Sequence, residues 1–310
     1  MTLISNEKIS AWYRAARPRT LTATYVPLGL AAAIALDQGV FDLLRFVLSL
    51  IGALLLQISA NLINEYFDFK RGADEHKTAG QGMIIKNAIL TPHDVLVGAI
   101  VTVVAGAAIG LILLFESGPL LFWIGLGGVL VVITYTAGPI PLAYVGLGEI
   151  AVFLFMGPLM VFGAYYVMSL DFIWTPIIAG IPVGFMVAAI MHANNVRDLE
   201  ADRLVNKRTL AVRLGRRGAR IEYVILVIGA YVIVGVLIVL GVMPITTALV
   251  LITLPEAIRL IRIVNSTEET PPLHGAMGRT ARLHGQFGLW LVIGWILALL
   301  ARIPGLNLFI

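Results

Sequence analysis

The chain has no cysteine, and only 13% of its 310 residues are charged. Without thiols it makes no disulfide, has no thiolate nucleophile and holds no iron–sulfur cluster. A soluble domain averages about 25% charged residues. At half that share, with 59% hydrophobic residues and a mean hydropathy of +0.93, soluble classes are excluded. Local catalytic signatures are missing too. No Ser-His-Asp or His-Glu-x-x-His order is apparent, and Gly80-Gln81-Gly82-Met83-Ile84-Ile85-Lys86 lacks the phosphate-loop pattern and follows no strand. The five histidines read as interface groups, with His192 a candidate support behind a site.

Long apolar runs are present instead. A helix needs roughly 20 apolar residues to cross the ~30 Å hydrocarbon core, and in lipid each backbone group must bond within its own segment. A barrel would show short alternating segments, and none is seen. Spans are predicted at 20–36, 45–67, 94–115, 119–136, 147–168, 172–195, 221–240, 243–262 and 283–303. The expected fold is an all-α polytopic membrane protein of nine transmembrane helices, a single domain over 1–310 around a central cavity open to the cytoplasmic side. The first span follows basic residues, as in a signal peptide, but eight further spans favour a retained helix.

The 22 Lys and Arg residues are distributed unevenly. Lys8, Arg14, Arg17 and Arg19 precede span one. Lys70, Arg71, Lys77 and Lys86 follow span two. Arg197, Arg203, Lys207, Arg208, Arg213, Arg216, Arg217 and Arg220 follow span six, and Arg259, Arg262, Arg279 and Arg282 connect spans eight and nine. Only Arg45 and Arg302 fall on the other side. The positive-inside rule makes the basic side cytoplasmic. The N-terminus is then inside and the C-terminus opposite, as an odd span count requires.

Two acidic clusters lie on that basic side, each where an apolar run ends. One is Asn64-Glu65-Tyr66-Phe67-Asp68 with Asp74 six residues on; the other is Asn194-Asn195-Val196-Arg197-Asp198 with Asp202 four residues on. Ionisable groups at such places suggest function. The duplicated Asn-x-x-x-Asp implies a weak parallel repeat, with halves about 18–136 and 147–262 and an extra helix over 283–303. Residues four apart share a helix face, and two carboxylates ~4 Å apart repel by about 4 kcal/mol at an effective dielectric of 20. Such clusters call for cations. Carboxylate and amide oxygens suit Mg²⁺, which binds with substrate phosphates and only one or two carboxylates. The expected site is thus a divalent-metal and diphosphate site, with basic loop residues on the remaining phosphate charge.

The sequence here resembles the UbiA superfamily of intramembrane aromatic prenyltransferases. The resemblance covers nearly the whole chain and rests on NLINEYFDFKRGAD, on Tyr135–Val167, and on HANNVRDLEADRLVNKRTLAVRLG from His192 to Gly215. Within the superfamily it is most similar to the 1,4-dihydroxy-2-naphthoate polyprenyltransferases. There are two departures: Glu65 stands where the family often has Asp, and Lys86 where a basic residue, often Arg, is expected. The resemblance implies prenyl transfer from a polyprenyl diphosphate to a small aromatic acceptor, with two Mg²⁺. For 1,4-dihydroxy-2-naphthoate, CO₂ is lost as well and demethylmenaquinone results.

By the same resemblance, Asp68 and Asp74 with Asn64 hold one metal, and Asp198 and Asp202 with Asn194 or Asn195 the second. Lys70, Arg71, Lys77, Lys86 and Arg197 are the diphosphate candidates. Tyr135, Tyr144, Phe153 and Tyr165 are candidates for an aromatic wall around the allylic cation, with helix packing as the alternative. Asn64 and His192 are placed beside the acceptor or tail pocket. Glu149 is a candidate to steer the acceptor or take its proton. Arg17 and Arg19 read first as membrane anchors and second as partners of an acceptor carboxylate.

The rivals are other acceptors in the same superfamily (4-hydroxybenzoate, homogentisate, chlorophyll-type or glyceryl-lipid) and, outside enzymes, an ion-coupled transporter, which predicts acids near the bilayer midplane. The partners expected are the lipid bilayer and the two substrates, with no nucleic acid and no obligate protein.

Overall fold

A computed structural model of the chain describes residues 6–76, 83–139 and 141–302. All regular structure among these residues is helical. In chain order the α-helices are α1 (Asn6–Ala15), α2 (Thr22–Asp37), α3 (Leu43–Lys70), α4 (Pro92–Ser117), α5 (Pro119–Thr134), α6 (Gly148–Met156), α7 (Pro158–Ser169), α8 (Trp174–Arg197), α9 (Leu199–Leu204), α10 (Leu210–Val239), α11 (Leu254–Ser266) and α12 (Thr270–Ala301). Short 3₁₀ turns cover Pro18–Thr20 and Leu142–Tyr144, and a longer one, Ile245–Thr253, leads into α11.

Every apolar run read from the sequence is helical, but the runs differ in length. Among the described residues, six helices are long and apolar enough to cross a membrane: α3, α4, α6–α7 taken as Gly148–Ser169, α8, α10 and α12. The bent pair formed by α1 with its 3₁₀ turn and α2, angled at 52°, makes a seventh. The protein is an integral membrane protein. The predicted span at 221–240 is only the apolar part of α10, whose first turns carry Arg213, Arg216, Arg217 and Arg220. Likewise α12 begins at Thr270, well before the predicted 283, with Pro271 and Pro272 in its first turn where no N–H is missed.

The predicted span at 147–168 is broken between α6 and α7. Pro158 has no N–H to continue the ladder, and the break is seated against α8 at backbone contact. A Cβ on Gly157 would stand 2.5 Å from Gly184 Cα, and one on Gly184 would stand 2.6 Å from the Phe153 carbonyl oxygen. Only glycine fits that crossing. The main core then joins α2, α7, α8, α10 and α12. A second, smaller core packs α1 against α3, α4 and the segment 83–91, burying Ile84, Ile85 and Leu90. α4 opens on a capping box in which Thr91 and Asp94 exchange hydrogen bonds.

Candidate active site

α3 ends in a way that folds its acids onto one spot. Gly72, at φ +69°, takes the left-handed position that stops the helix. The Gly72 N–H donates to the Phe69 carbonyl and the Ala73 N–H to the Asp68 carbonyl, at 3.0 and 2.8 Å. The chain reverses, and Asp74 lines the same cavity as Asp68. α8 ends differently. It stops at Arg197, but the Asp198 N–H donates to Asn194 O at 3.1 Å and the Asp202 N–H to Asp198 O at 2.8 Å. The i→i−4 pattern therefore carries across into α9, keeping Asp198 and Asp202 on one face. All four carboxylates are buried.

The two clusters meet. Lys207 Nζ lies 3.4 Å from Asp68 Oδ2 and 3.8 Å from Asp202 Oδ1. It also lies over the Tyr144 ring at 5.1 Å, while the Tyr144 hydroxyl donates to Asp68 Oδ1 at 2.8 Å. Burial opposes the charge on Lys207, but the Asp68, Asp202 and Asp198 carboxylates outweigh burial and hold its pKa above the ordinary lysine value. On the α8 side, Arg197 donates to both oxygens of Asp198 and to Asn194 Oδ1.

Behind this acidic mouth lies a cavity of about 580 Å³ with mainly apolar walls. Ser49 and Asp68, both on its lining, mark its extent along α3. At 1.5 Å per residue they lie about 29 Å apart, close to the thickness of the hydrocarbon core. Leu111, Phe122 and Leu126 also line it and are exposed.

Three site residues have placements that differ from the sequence-based expectation. Arg17 is no surface anchor. Its φ of +53° turns it into the cavity, where it donates to Asn64 Oδ1 at 2.9 Å and lies 3.5 Å from Glu65. Its buried Nε has no acceptor among the described residues. Asn64 thus gives its oxygen to Arg17, and its Nδ2 lies 3.4 Å from Asp68 Oδ2. Glu65, which stands where the family often has Asp, accepts backbone N–H groups from Met83, Ile84 and Ile85. Its carboxylate pins that loop to α3.

The diphosphate candidates separate. Arg197 lines the cavity. Arg71 is turned away, donating to the Thr136 and Gly138 carbonyls and packing on the Phe67 and Tyr144 rings. Lys86 donates to the Asp74 and Glu75 carbonyls, at 2.7 and 3.2 Å. Lys70 is exposed over Tyr66, and Lys77 lies outside the described residues. Of the aromatic candidates, Tyr135 lines the cavity and its hydroxyl meets Met191 Sδ at 2.9 Å. Tyr144 sits at the acids. Phe153 stacks edge-on with Phe185, and Tyr165 is in the main core; the wall is instead built with Phe122 and Phe155.

Glu149 and His192 do not reach the cavity surface. His192 Nε2 faces the Ala219 carbonyl at 2.7 Å, so that nitrogen carries a proton. Its Nδ1 faces Glu149 at 3.1 Å and the partly exposed Glu222 at 3.5 Å, the latter unread in the sequence. Glu149 also accepts from Asn195 Nδ2 at 2.8 Å, which leaves the amide oxygen of Asn195, a cavity-lining residue, to face the site. Glu149 and His192 therefore lie behind Asn195.

Comparison with known proteins agrees with this architecture. The family model described as the UbiA prenyltransferase family matches residues 25–273. The 1,4-dihydroxy-2-naphthoate octaprenyltransferase of Bacillus subtilis is 31% identical, covering 91% of this chain and 91% of its own length. The enzyme of the same name from Escherichia coli is 31% identical over 91% of this chain and 94% of its own. Among solved structures, a UbiA homolog from Archaeoglobus fulgidus bound to GPP and Mg²⁺ superposes with a TM-score of 0.61 at 16% identity, covering 91% of this chain and 99% of that one. The apo UbiA homolog from Aeropyrum pernix gives 0.64 at 17% identity, covering 89% and 97%. With its all-helical fold, paired acidic helix ends and membrane-long cavity, the chain belongs to the UbiA prenyltransferase family.

Proposed function

We propose that this prenyltransferase carries out Mg²⁺-dependent transfer of a polyprenyl group from its diphosphate to 1,4-dihydroxy-2-naphthoate, with release of diphosphate and CO₂ to give demethylmenaquinone. One observation carries the reading. Asp68 and Asp202, from opposite halves of the sequence, converge on Lys207 at the mouth of an apolar cavity as long as the bilayer core is thick. That geometry fits a substrate with an anionic head and a long hydrocarbon tail. It does not fit a transporter, whose acids would sit mid-membrane.

The buried oxygen donors fit a hard divalent cation. Asp68 and Asp74 would hold one Mg²⁺, and Asp198 and Asp202 with the Asn195 amide oxygen a second. When bound, Mg²⁺ supplies Lewis-acid stabilisation of the leaving diphosphate. The chain does the rest. Arg197 faces phosphate oxygens across the mouth. The apolar walls and Tyr135 exclude water from the allylic carbon as its C–O bond breaks. Arg17 turns its unmatched Nε–H towards an acceptor carboxylate, in reach of the same mouth. The tail lies along α3 and passes out near Leu111, Phe122 and Leu126.

The chain is read as one domain crossing the membrane nine times, with α5, α2 and the Ile245–Ser266 segment as the short crossings, two pseudo-repeat halves, and the acids and N-terminus in the cytoplasm. The test offers the purified protein Mg²⁺, a prenyl diphosphate and several aromatic acceptors, and identifies the product by mass. A prenylated, decarboxylated naphthoate is expected. Product from another acceptor alone would reassign the substrate, and no Mg²⁺-dependent product with any acceptor would remove the reading.

A further inference from the structure

Lys207 holds a position that the acid motifs do not explain. Its ammonium is buried between carboxylates of both clusters, with the side chain 7% exposed. The backbone fixes it there. Its N–H donates to Asp202 O at 2.8 Å, the preceding Asn206 takes the left-handed conformation at φ +55°, and the next N–H, from Arg208, donates to Tyr144 O at 3.1 Å. Both oxygens of Asp68 meet proton donors, Oδ1 the Tyr144 hydroxyl and Oδ2 the Lys207 ammonium. A carboxylate so engaged is a poor ligand for a bare divalent ion.

From this arrangement we infer that Lys207 is an internal counter-ion standing in the metal's place, so that the metal enters with the diphosphate and not ahead of it. The inference rests on the metal site proposed above. A divalent cation arriving alone must share Asp68 with an ammonium that already lies 3.4 Å from its Oδ2, and two cations held on one carboxylate repel. Diphosphate removes the conflict. Its oxygens give the ammonium a new partner, and the flexible lysine stem allows the shift. Asp68 and Asp202 are then released to the cation. The coupling also prevents metal from occupying an empty site.

The test measures Mn²⁺ binding to the full-length protein in nanodiscs by electron paramagnetic resonance, without any phosphate. Wild type and Lys207→Arg are expected to bind weakly, and Lys207→Gln at least tenfold more tightly. A lysine that only packs, or that only touches phosphate, predicts no tightening. Equal Mn²⁺ affinity in wild type and Lys207→Gln overturns the inference. A second measurement needs no variant: Mg²⁺ should raise the wild-type Tm only when inorganic diphosphate is present. An equal rise with Mg²⁺ alone also overturns the inference and leaves the metal site standing. Failure of wild type to bind Mn²⁺ even with diphosphate removes the metal site and the inference together.

Discussion

Replacing Glu65 with Asp separates two roles that one carboxylate can play. If Glu65 were a metal ligand, Asp would suit it, since the family often has Asp there. The structure gives Glu65 another task. Its buried carboxylate accepts the Met83 N–H at 3.1 Å, the Ile84 N–H, and the Ile85 N–H at 3.4 Å, and it faces Arg17 at 3.5 Å. Asp keeps the charge but withdraws it by one carbon–carbon bond, roughly 1.5 Å. The two closer backbone contacts then open. Hydrogen bonds to a charged group contribute about 1.5–3 kcal/mol each. Taking the lower figure for both gives about 3 kcal/mol of local stability, or roughly a hundredfold in the opening equilibrium. Hydrogen exchange of amides 83–85, read by mass spectrometry in nanodiscs, should accelerate by about that factor, while amides within α8 keep their rates. Glu65→Gln, which keeps the length and loses the charge, should fall between. Exchange at 83–85 unchanged in Glu65→Asp would refute the clasp.

Three further outcomes are expected. Asp68→Asn and Asp198→Asn should each abolish turnover in the mass assay; Asp198→Asn should also lower stability, and Asp198→Ala more so, by about 3 kcal/mol, because both strip the Arg197 guanidinium, 2% exposed, of its charged partner; full activity in either Asn variant would remove that residue from the site. Gly184→Leu should prevent folding, since even a Cβ there meets the Phe153 carbonyl at 2.6 Å, and a monodisperse protein of wild-type Tm on size exclusion would contradict the crossing. Arg17→Gln should raise KM for a carboxylated acceptor about tenfold with little change for the prenyl diphosphate; equal effects on both would argue for a role in shaping the mouth.

The periodic and repetitive parts of the sequence were legible. Apolar run length gave the helices, and the Asn-x-x-x-Asp echo marked α3 and α8 as the helices that carry acid at their ends. What a run cannot report is how its end is turned. Asp74 reaches the site only because Gly72 reverses the chain, and Asp202 only because hydrogen bonding persists through the α8–α9 break. The cations were harder still. The 20 basic residues that the sequence reading assigns to one side all satisfy the same topological rule, so charge pattern alone could not separate Arg71, spent on the Thr136 and Gly138 carbonyls, from Lys207, held among the acids. The one local signal was position. Lys207 follows Asp202 by five residues, the distance that the turn closed by the Lys207 N–H to Asp202 O bond requires. The pairs Glu149–His192 and Arg17–Asn64 join residues more than 40 positions apart, where helix periodicity carries no information. Helix ends are thus written locally in this chain, whereas the charge balance at its site is set by which loops fold back over them. For that reason the balance among the acids turns on Lys207, a residue outside both acidic motifs.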